Sequence, residues 1–167
     1  MSMYHASVPV FVRSLGNLKK ILKKAEKHAI AKKIDPAVFL EGRLAPDMFT
    51  LVRQVQIATD MAKGCVARLA GRKVPSYKDN EATFAQVYAR IDKTIKYVKS
   101  FKASQIDGNE DRQIEIPTRY VTYKFNGREY LYHFVIPNVF FHVTTAYAIL
   151  RHYGVNVGKK DFLGPPR

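Results

Sequence analysis

Cysteine is nearly absent from this chain, and so are the features of a secretory leader. Cys65 is the single cysteine among 167 residues. No disulfide can therefore form within the chain, and we expect the reducing cytoplasm as its location. Residues 1–12 lack the basic start of a signal peptide, and Pro9 interrupts their apolar run. We expect Cys65 to be buried and to pack as a small apolar side chain.

Acidic residues are also scarce, with 14 Asp and Glu against 28 Lys and Arg, so that the formal net charge is +14. The lysines are densest in residues 19–33: Lys19, Lys20, Lys23, Lys24, Lys27, Lys32 and Lys33. A field of this sign attracts nucleic acid or anionic lipid. However, no aromatic residue accompanies these lysines to stack on bases, and no DNA-reading motif is evident. We therefore favour a solvated helix face and expect no specific nucleic-acid partner.

Charge is missing altogether from residues 134–150, which we name the charge-free segment. Its 17 residues fall short of the roughly 20 that a membrane span needs, and Pro137, Asn138 and His142 interrupt its apolar character. We therefore predict a buried helix of a soluble protein and no membrane partner. Polar groups on such a helix need hydrogen-bond partners, or they face a pocket.

Apolar residues recur at three- and four-residue steps in four long segments, which predicts four helices. The segments are residues 7–29, 46–71, 80–98 and 137–153. Tyr4 and His5 can extend the first helix, Asp79 or Asn80 can cap the third, and Asp35 can start a short helical turn before the second. On the third helix we expect Arg90 to face largely outwards. The predicted fold is all-α, a four-helix bundle in a single domain over residues 1–167.

A small β-hairpin is predicted between helices three and four, at about residues 112–133. Residues 119–125 and 128–133 alternate in polarity around Asn126-Gly127, which is a strong hairpin signal. Ile114 and Ile116 can add a third short strand. The tail, residues 155–167, is predicted to be a coil docked by Phe162 and Leu163.

The candidate site lies on the fourth helix, where Asn138, His142 and Thr145 share one face. An imidazole there can act as a base or a ligand, or it can be a core histidine held by a hydroxyl or carbonyl group. Gln54 or Asp60 on the second helix can lie opposite His142 and orient it. The alternative is that Asp60 belongs, with Arg53 and Gln56, to a hydrogen-bonded polar stripe.

Two helical blocks carry a resemblance to a known family: residues 43–60, RLAPDMF followed by RQVQIATD, and residues 137–152, PNVFFHVTTAYAILRH. With residues 158–163, GKKDFL, they resemble the domain-of-unknown-function family nineteen ninety-three. The resemblance covers nearly the whole chain and implies a DinB/YfiT-like four-helix bundle. Relatives in that superfamily include metal-dependent thiol transferases that use bacillithiol or mycothiol.

The metal site of that superfamily resembles a triad of histidines, one on helix two and two, one turn apart, on helix four. Here helix two has no histidine, and His142 has no partner at Asn138 or Ala146. We therefore expect no metal and no cofactor, and do not carry the transferase activity over.

Three functional hypotheses remain, and the sequence does not decide whether the protein is an enzyme or identify catalytic residues. The first is an unknown small-molecule ligand in an interhelical pocket lined by His142, Asn138, Thr145, Gln54 and Asp60. The second is a structural or interaction protein that acts as a homodimer. The third is a divergent metal-dependent enzyme, related to the thiol transferases, that recruits His5 or His133 with His142.

Overall fold

The computed structural model describes residues 2–166, which form a mostly helical protein with one small antiparallel sheet. In chain order the elements are α1 (Met3–Ala31), α2 (Pro36–Leu40), α3 (Leu51–Leu69), α4 (Phe84–Lys99), α5 (Ala103–Ile106), β1 (Ile114–Pro117), β2 (Thr122–Phe125), α6 (Gly127–Glu129), a π-helical segment (Tyr130–Val135), α7 (Ile136–His152) and α8 (Lys159–Leu163). The predominance of helix is as predicted, and the four longest helices match the four periodic segments.

Three of the four long helices, α1, α3 and α4, begin with a hydroxyl cap. Ser2 accepts a hydrogen bond from the His5 backbone and begins α1, so the extension of the predicted helix through Tyr4 and His5 is confirmed. Thr50 caps α3, which therefore begins later than the predicted residue 46. Thr83 caps α4 and not Asp79 or Asn80 as predicted, because its side chain and that of Gln86 form a reciprocal capping box.

The apolar core lies where the long helices meet. Helix α3 packs against α7 on one side and α4 on another, and α1 packs against α4, α7 and α3. Phe11 and Leu15 of α1, Val66 of α3 and Ile149 of α7 have no exposed surface. Cys65 is fully buried in the same cluster, as predicted. The core fixes the faces of α3 and α7 that meet, and these two helices carry the candidate site.

A small hairpin lies within the predicted residues 112–133 and includes the strand predicted at Ile114 and Ile116, but the predicted turn at Asn126-Gly127 is wrong. The observed strands pair Ile114 with Phe125 and Pro117 with Thr122, so the connection is at residues 118–121. Residues 128–133, predicted to be a strand, are helical. Asn126 accepts from the Glu129 backbone and the Glu129 carboxylate accepts from the Asn126 backbone, so that this pair starts a helix.

Helix α6, the π-helical segment and α7 form one continuous helical run. Among residues 2–166, this run, Gly127–His152, is the one helix whose length and composition would also suffice to cross a membrane. The core helix of a soluble protein satisfies the same criteria. Val139, Val143, Ala146 and Leu150 are buried inside the protein, mostly by contact with α3.

The tail is not the coil that was predicted, because residues 159–163 form α8, which packs on α1. The Phe162 ring lies edge-on to Tyr147 with centroids 6.1 Å apart. Leu163 stays largely exposed, and its carbonyl accepts hydrogen bonds from Arg13. Phe162 and backbone carbonyl groups therefore hold the tail against the rest of the protein, whereas the Leu163 side chain is not buried.

Candidate functional site

His142 of α7 faces α3 and makes one hydrogen bond there. Its Nδ1 lies 2.7 Å from Oε1 of Gln54, and both side chains are buried. The Gln54 amide is itself oriented, because its Nε2 donates to the Phe49 carbonyl oxygen at 3.2 Å. With the amide oxygen directed at the imidazole, Nδ1 must carry the proton and donate it. The neutral imidazole then holds its lone pair at Nε2.

The second ring nitrogen of His142, Nε2, makes no hydrogen bond within the described chain. Among residues 2–166 the fully buried side-chain nitrogen or oxygen without a partner is Tyr132 Oη, so Nε2 keeps some contact with solvent although His142 is only 8% exposed. Burial lowers the pKa of His142, and the charge of nearby Arg53 lowers it further. At neutral pH the site therefore presents an unprotonated, oriented Nε2, which can accept a hydrogen bond or a proton.

Exposed aromatic rings lie close to this pair. The Phe141 ring is edge-on to His142, with centroids 5.2 Å apart, and is 57% exposed. Phe49, whose carbonyl orients Gln54, is 55% exposed. The Arg53 guanidinium lies 6.0 Å from the centre of the Phe49 ring. An apolar ligand that reached Nε2 could therefore rest on aromatic surface.

The other sequence-predicted site residues are engaged elsewhere. Asn138 donates to the Phe134 carbonyl oxygen, and Thr145 donates to the Phe141 carbonyl oxygen, both within the same helical run. Asp60 bonds Arg90 and Lys63. It lies six residues after Gln54 on α3, about 9 Å further along the helix axis. The structure thus brings His142 and Gln54 together and gives Asn138, Thr145 and Asp60 different partners.

A cavity lined by His142 stays a prediction. Residues 2–166 form at least five surface cavities of about 180 to 380 Å³, and His142 lines none of these five. One of them, next to Gln54 in sequence, lies beside the start of α3, has a volume of about 380 Å³ and is lined by Phe49, Arg53 and Gln56 among other residues. What the structure shows at His142 is an imidazole that Gln54 orients and that is 8% exposed.

Arg90 was expected to face outwards, and this prediction is wrong. Its side chain is only 2% exposed and bonds Asp60 at 2.8 Å, Asp79 at 3.0 Å and Glu81 at 3.1 Å. It also donates to Thr59 Oγ1 at 2.8 Å. The signal was present in the sequence, because Arg90 follows the inward residue Val87 by three positions and shares its helix face.

The polar stripe of α3 belongs to this same interhelical network. Arg53 donates to Gln56 at 3.1 Å and pairs with Asp79, while Gln56 donates to Glu81 at 2.9 Å. The stripe is therefore held by the loop before α4 and by α4 itself. Asp60 is part of this stripe and does not orient His142.

The residues present do not fit the histidine triad of the superfamily. Helix α3 contains no histidine, and the positions one turn from His142 on α7 are Asn138 and Ala146. Within the described chain, no group of three or more His, Cys, Asp or Glu is placed to hold a metal ion. His5 bonds Ser2 at the start of α1, and His133 is exposed on the π-helical segment.

The sequence itself matches one family model, the domain of unknown function DUF1993, over residues 3–163. The chain belongs to the DUF1993 family. The resemblance stated from the two helical blocks is thereby confirmed.

This DUF1993 chain is also similar to a solved structure from Shewanella denitrificans, described as a DinB family member. The two share 44% sequence identity with a TM-score of 0.92, and the match covers 98% of this chain and 92% of the other. No curated protein matches the chain. The family and its DinB relative are consistent with the predicted superfamily and establish no specific function.

Proposed function

We propose that this protein binds a small molecule at His142 without a metal, through the Nε2 of a neutral imidazole, which has no partner in the described chain. The hydrogen bond from Nδ1 to Gln54 carries the proposal, because it fixes the tautomer and leaves Nε2 as the acceptor. The ligand class is a molecule with a hydroxyl or similar donor and an apolar body, which Phe141 would contact. If the donor is acidic enough, the same geometry supports general-base catalysis.

The supporting scaffold in this proposal is a DinB/YfiT-like four-helix bundle made of α1, α3, α4 and α7. Its support is the mutual packing of these helices and the similarity to the DinB family member. In this proposal the charge-free segment is a core helix, with no membrane partner and no specific nucleic-acid partner. The fully buried Cys65 thiol is compatible with the cytoplasmic location that we propose.

The test uses phenol as a hydrogen-bond donor and anisole as its matched analogue without a donor. Nitrogen-15 NMR of the imidazole side chains is expected to show Nε2 of His142 unprotonated at pH 7 and shifted by phenol but not by anisole. Gln54→Leu is expected to release the tautomer and weaken the phenol effect, whereas His152→Gln, at an exposed histidine, leaves it unchanged. A protonated Nε2 in the free protein, or equal shifts from both probes, would overturn the proposal.

A homodimer is a second candidate, favoured by the exposed rings of Phe49, Phe140 and Phe141. Aromatic side chains are enriched at protein interfaces. Light scattering over a range of concentrations is expected to report a dimer that Phe141→Ser weakens. A monomer at high concentration would rule this candidate out.

A further inference from the structure

A second site lies at the carboxyl-terminal half of α3, away from His142. It is a cavity of about 290 Å³ between α3, the loop at residues 74–77, β1 and the π-helical segment. Lys63, Arg68 and Asp60 provide its charged groups, so that two positive charges face one negative charge. This volume is near the lower end of the roughly 300–1,000 Å³ typical of small-molecule sites.

Arg68 is the cation in this cavity that lacks a carboxylate. Among residues 2–166, no Asp or Glu oxygen lies within 4.0 Å of its guanidinium, in contrast to Arg90 and Lys63. One of its nitrogens donates to Tyr130 Oη at 2.9 Å. The remaining N–H groups of its fork are neither bonded within the described chain nor fully buried. They are therefore free to bind an anion.

A glycine makes this position of Arg68 possible. Gly64 lies one turn earlier in α3, and a Cβ atom there would come within 2.6 Å of the Arg68 guanidinium nitrogen NH1. Glycine in a helix interior costs about 1 kcal/mol relative to alanine. Here the missing side chain provides the space that the guanidinium occupies, so the orientation of Arg68 is built into the helix.

Lys63 is the second cation of this cavity, and its charge is paired. Its side chain is only 5% exposed, and it pairs with Asp60. The same carboxylate oxygen also accepts from Arg90 at 2.8 Å. Because Arg90 also pairs with Asp79 and Glu81, carboxylates balance the cations of this network. The unbalanced charge at the cavity is therefore that of Arg68, and the net charge of the chain reinforces it.

The remaining walls are largely apolar. Met61, Ile116 and Phe134 line the cavity, and Ser76 adds a hydroxyl group. A planar carboxylate can take two parallel hydrogen bonds from a guanidinium, whereas the apolar walls favour a hydrocarbon body. We propose that this cavity binds a small organic carboxylate with an apolar body, held by Arg68. This inference is independent of the site at His142.

The probe for the test is phenylacetate, with phenylacetamide as its uncharged analogue and inorganic phosphate as an anion without an apolar body. Calorimetric titration is expected to show phenylacetate binding to the wild-type protein at least tenfold tighter than either comparison ligand. Arg68→Gln is expected to weaken it at least tenfold. Gly64→Ala, which keeps the charge and displaces the guanidinium, is expected to weaken it as well.

Two control variants distinguish binding at Arg68 from a general attraction to positive charge and from binding at His142. Arg119→Gln removes one positive charge from an exposed turn residue and is expected to leave phenylacetate affinity within twofold, as is His142→Gln. If Arg119→Gln weakens binding as much as Arg68→Gln, the attraction is a general effect of net charge and the proposal fails. It also fails if phenylacetamide or phosphate binds equally well, or if phenylacetate does not bind the wild-type protein.

Discussion

Replacement of Arg90 by methionine is expected to destabilise the protein strongly. The guanidinium is almost fully buried and bonds three carboxylates and the Thr59 hydroxyl. Methionine fills part of the space of the side chain but donates no hydrogen bond. The carboxylates of Asp60, Asp79 and Glu81 would then lie close together without the cation that joins them.

The size of the expected loss of stability depends on how exposed the three carboxylate partners of Arg90 are. Removing one member of a buried ion pair costs roughly 3–5 kcal/mol. The Glu81 side chain is 10% exposed, whereas those of Asp60 and Asp79 are more than one-third exposed, so water screens part of their charge. We therefore expect a loss of about 3 kcal/mol in the free energy of unfolding, which corresponds to a fall of roughly 6–12 °C in Tm for a chain of this size.

The assay is urea denaturation of the wild type, Arg90→Met and Lys99→Met, where Lys99 is an exposed residue at the end of the same helix. Lys99→Met is expected to cost less than about 1 kcal/mol. A loss below about 1 kcal/mol for Arg90→Met as well would refute the reasoning, because the desolvation cost of the buried network would then offset its attraction.

The pH dependence provides a second readout of this network. Desolvation alone would raise the pKa of Asp79, but the hydrogen bond from Arg53 and the charges of Arg90 and Arg53 outweigh it and lower that pKa below 3.8. A carboxyl group with a depressed pKa contributes stability that is present above its unfolded pKa and lost as the pH falls through its folded pKa. The difference in the free energy of unfolding between the wild type and Arg90→Met is therefore expected to become smaller below about pH 4.

Three further outcomes are expected. Gly127→Ala should destabilise the protein by about 2 kcal/mol in denaturant titrations, because the new Cβ would lie 2.2 Å from the Asn109 carbonyl oxygen. Gly16→Ala in α1, where there is open space around the glycine, should stabilise the protein by about 0.5–1 kcal/mol. Equal effects of the two substitutions would contradict the close approach at Gly127. Burial raises the pKa of the Cys65 thiol, so a thiol reagent should label the native protein only at the rate of unfolding, and rapid labelling would show that the thiol is accessible. The pKa of His142 is lowered from 6.5, so its contribution to stability is present above pH 6.5 and lost as the pH falls through the folded pKa. His142→Gln should therefore flatten the dependence of the free energy of unfolding on pH between pH 6.5 and the folded pKa.

The helical segments were predictable because their signal is local. Apolar residues at three- and four-residue spacing define a helix face within a single turn or two, as at Val87, Ile91 and Val98 of α4. The pairing of His142 with a residue of the second helix was predictable only as a choice between Gln54 and Asp60. Six residues separate these two on α3, and only the axial offset of the packed helices selects Gln54.

Asn126-Gly127 shows why local sequence did not suffice for the hairpin. The dipeptide is compatible with a tight turn and with the start of a helix. Gly127 lies against the Asn109 carbonyl oxygen, and the backbone of Arg128 bonds the Glu110 carbonyl oxygen at 2.9 Å, so contacts with a distant segment stabilise the helical alternative. Asn109 and Glu110 are distant from Asn126-Gly127 in the sequence, so the residues next to the dipeptide do not reveal these contacts.

The sequence by itself determined a basic, mostly helical chain of the DUF1993 family, with a charge-free helix that carries His142 and has no second histidine one turn away. Only the tertiary structure decided which side chains meet. It placed Gln54 at His142, buried Arg90 among carboxylates, and left Arg68 open to a cavity. The physical reason is that periodicity specifies the face of a helix, whereas hydrogen bonds and ion pairs between helices depend on their relative rotation and axial offset.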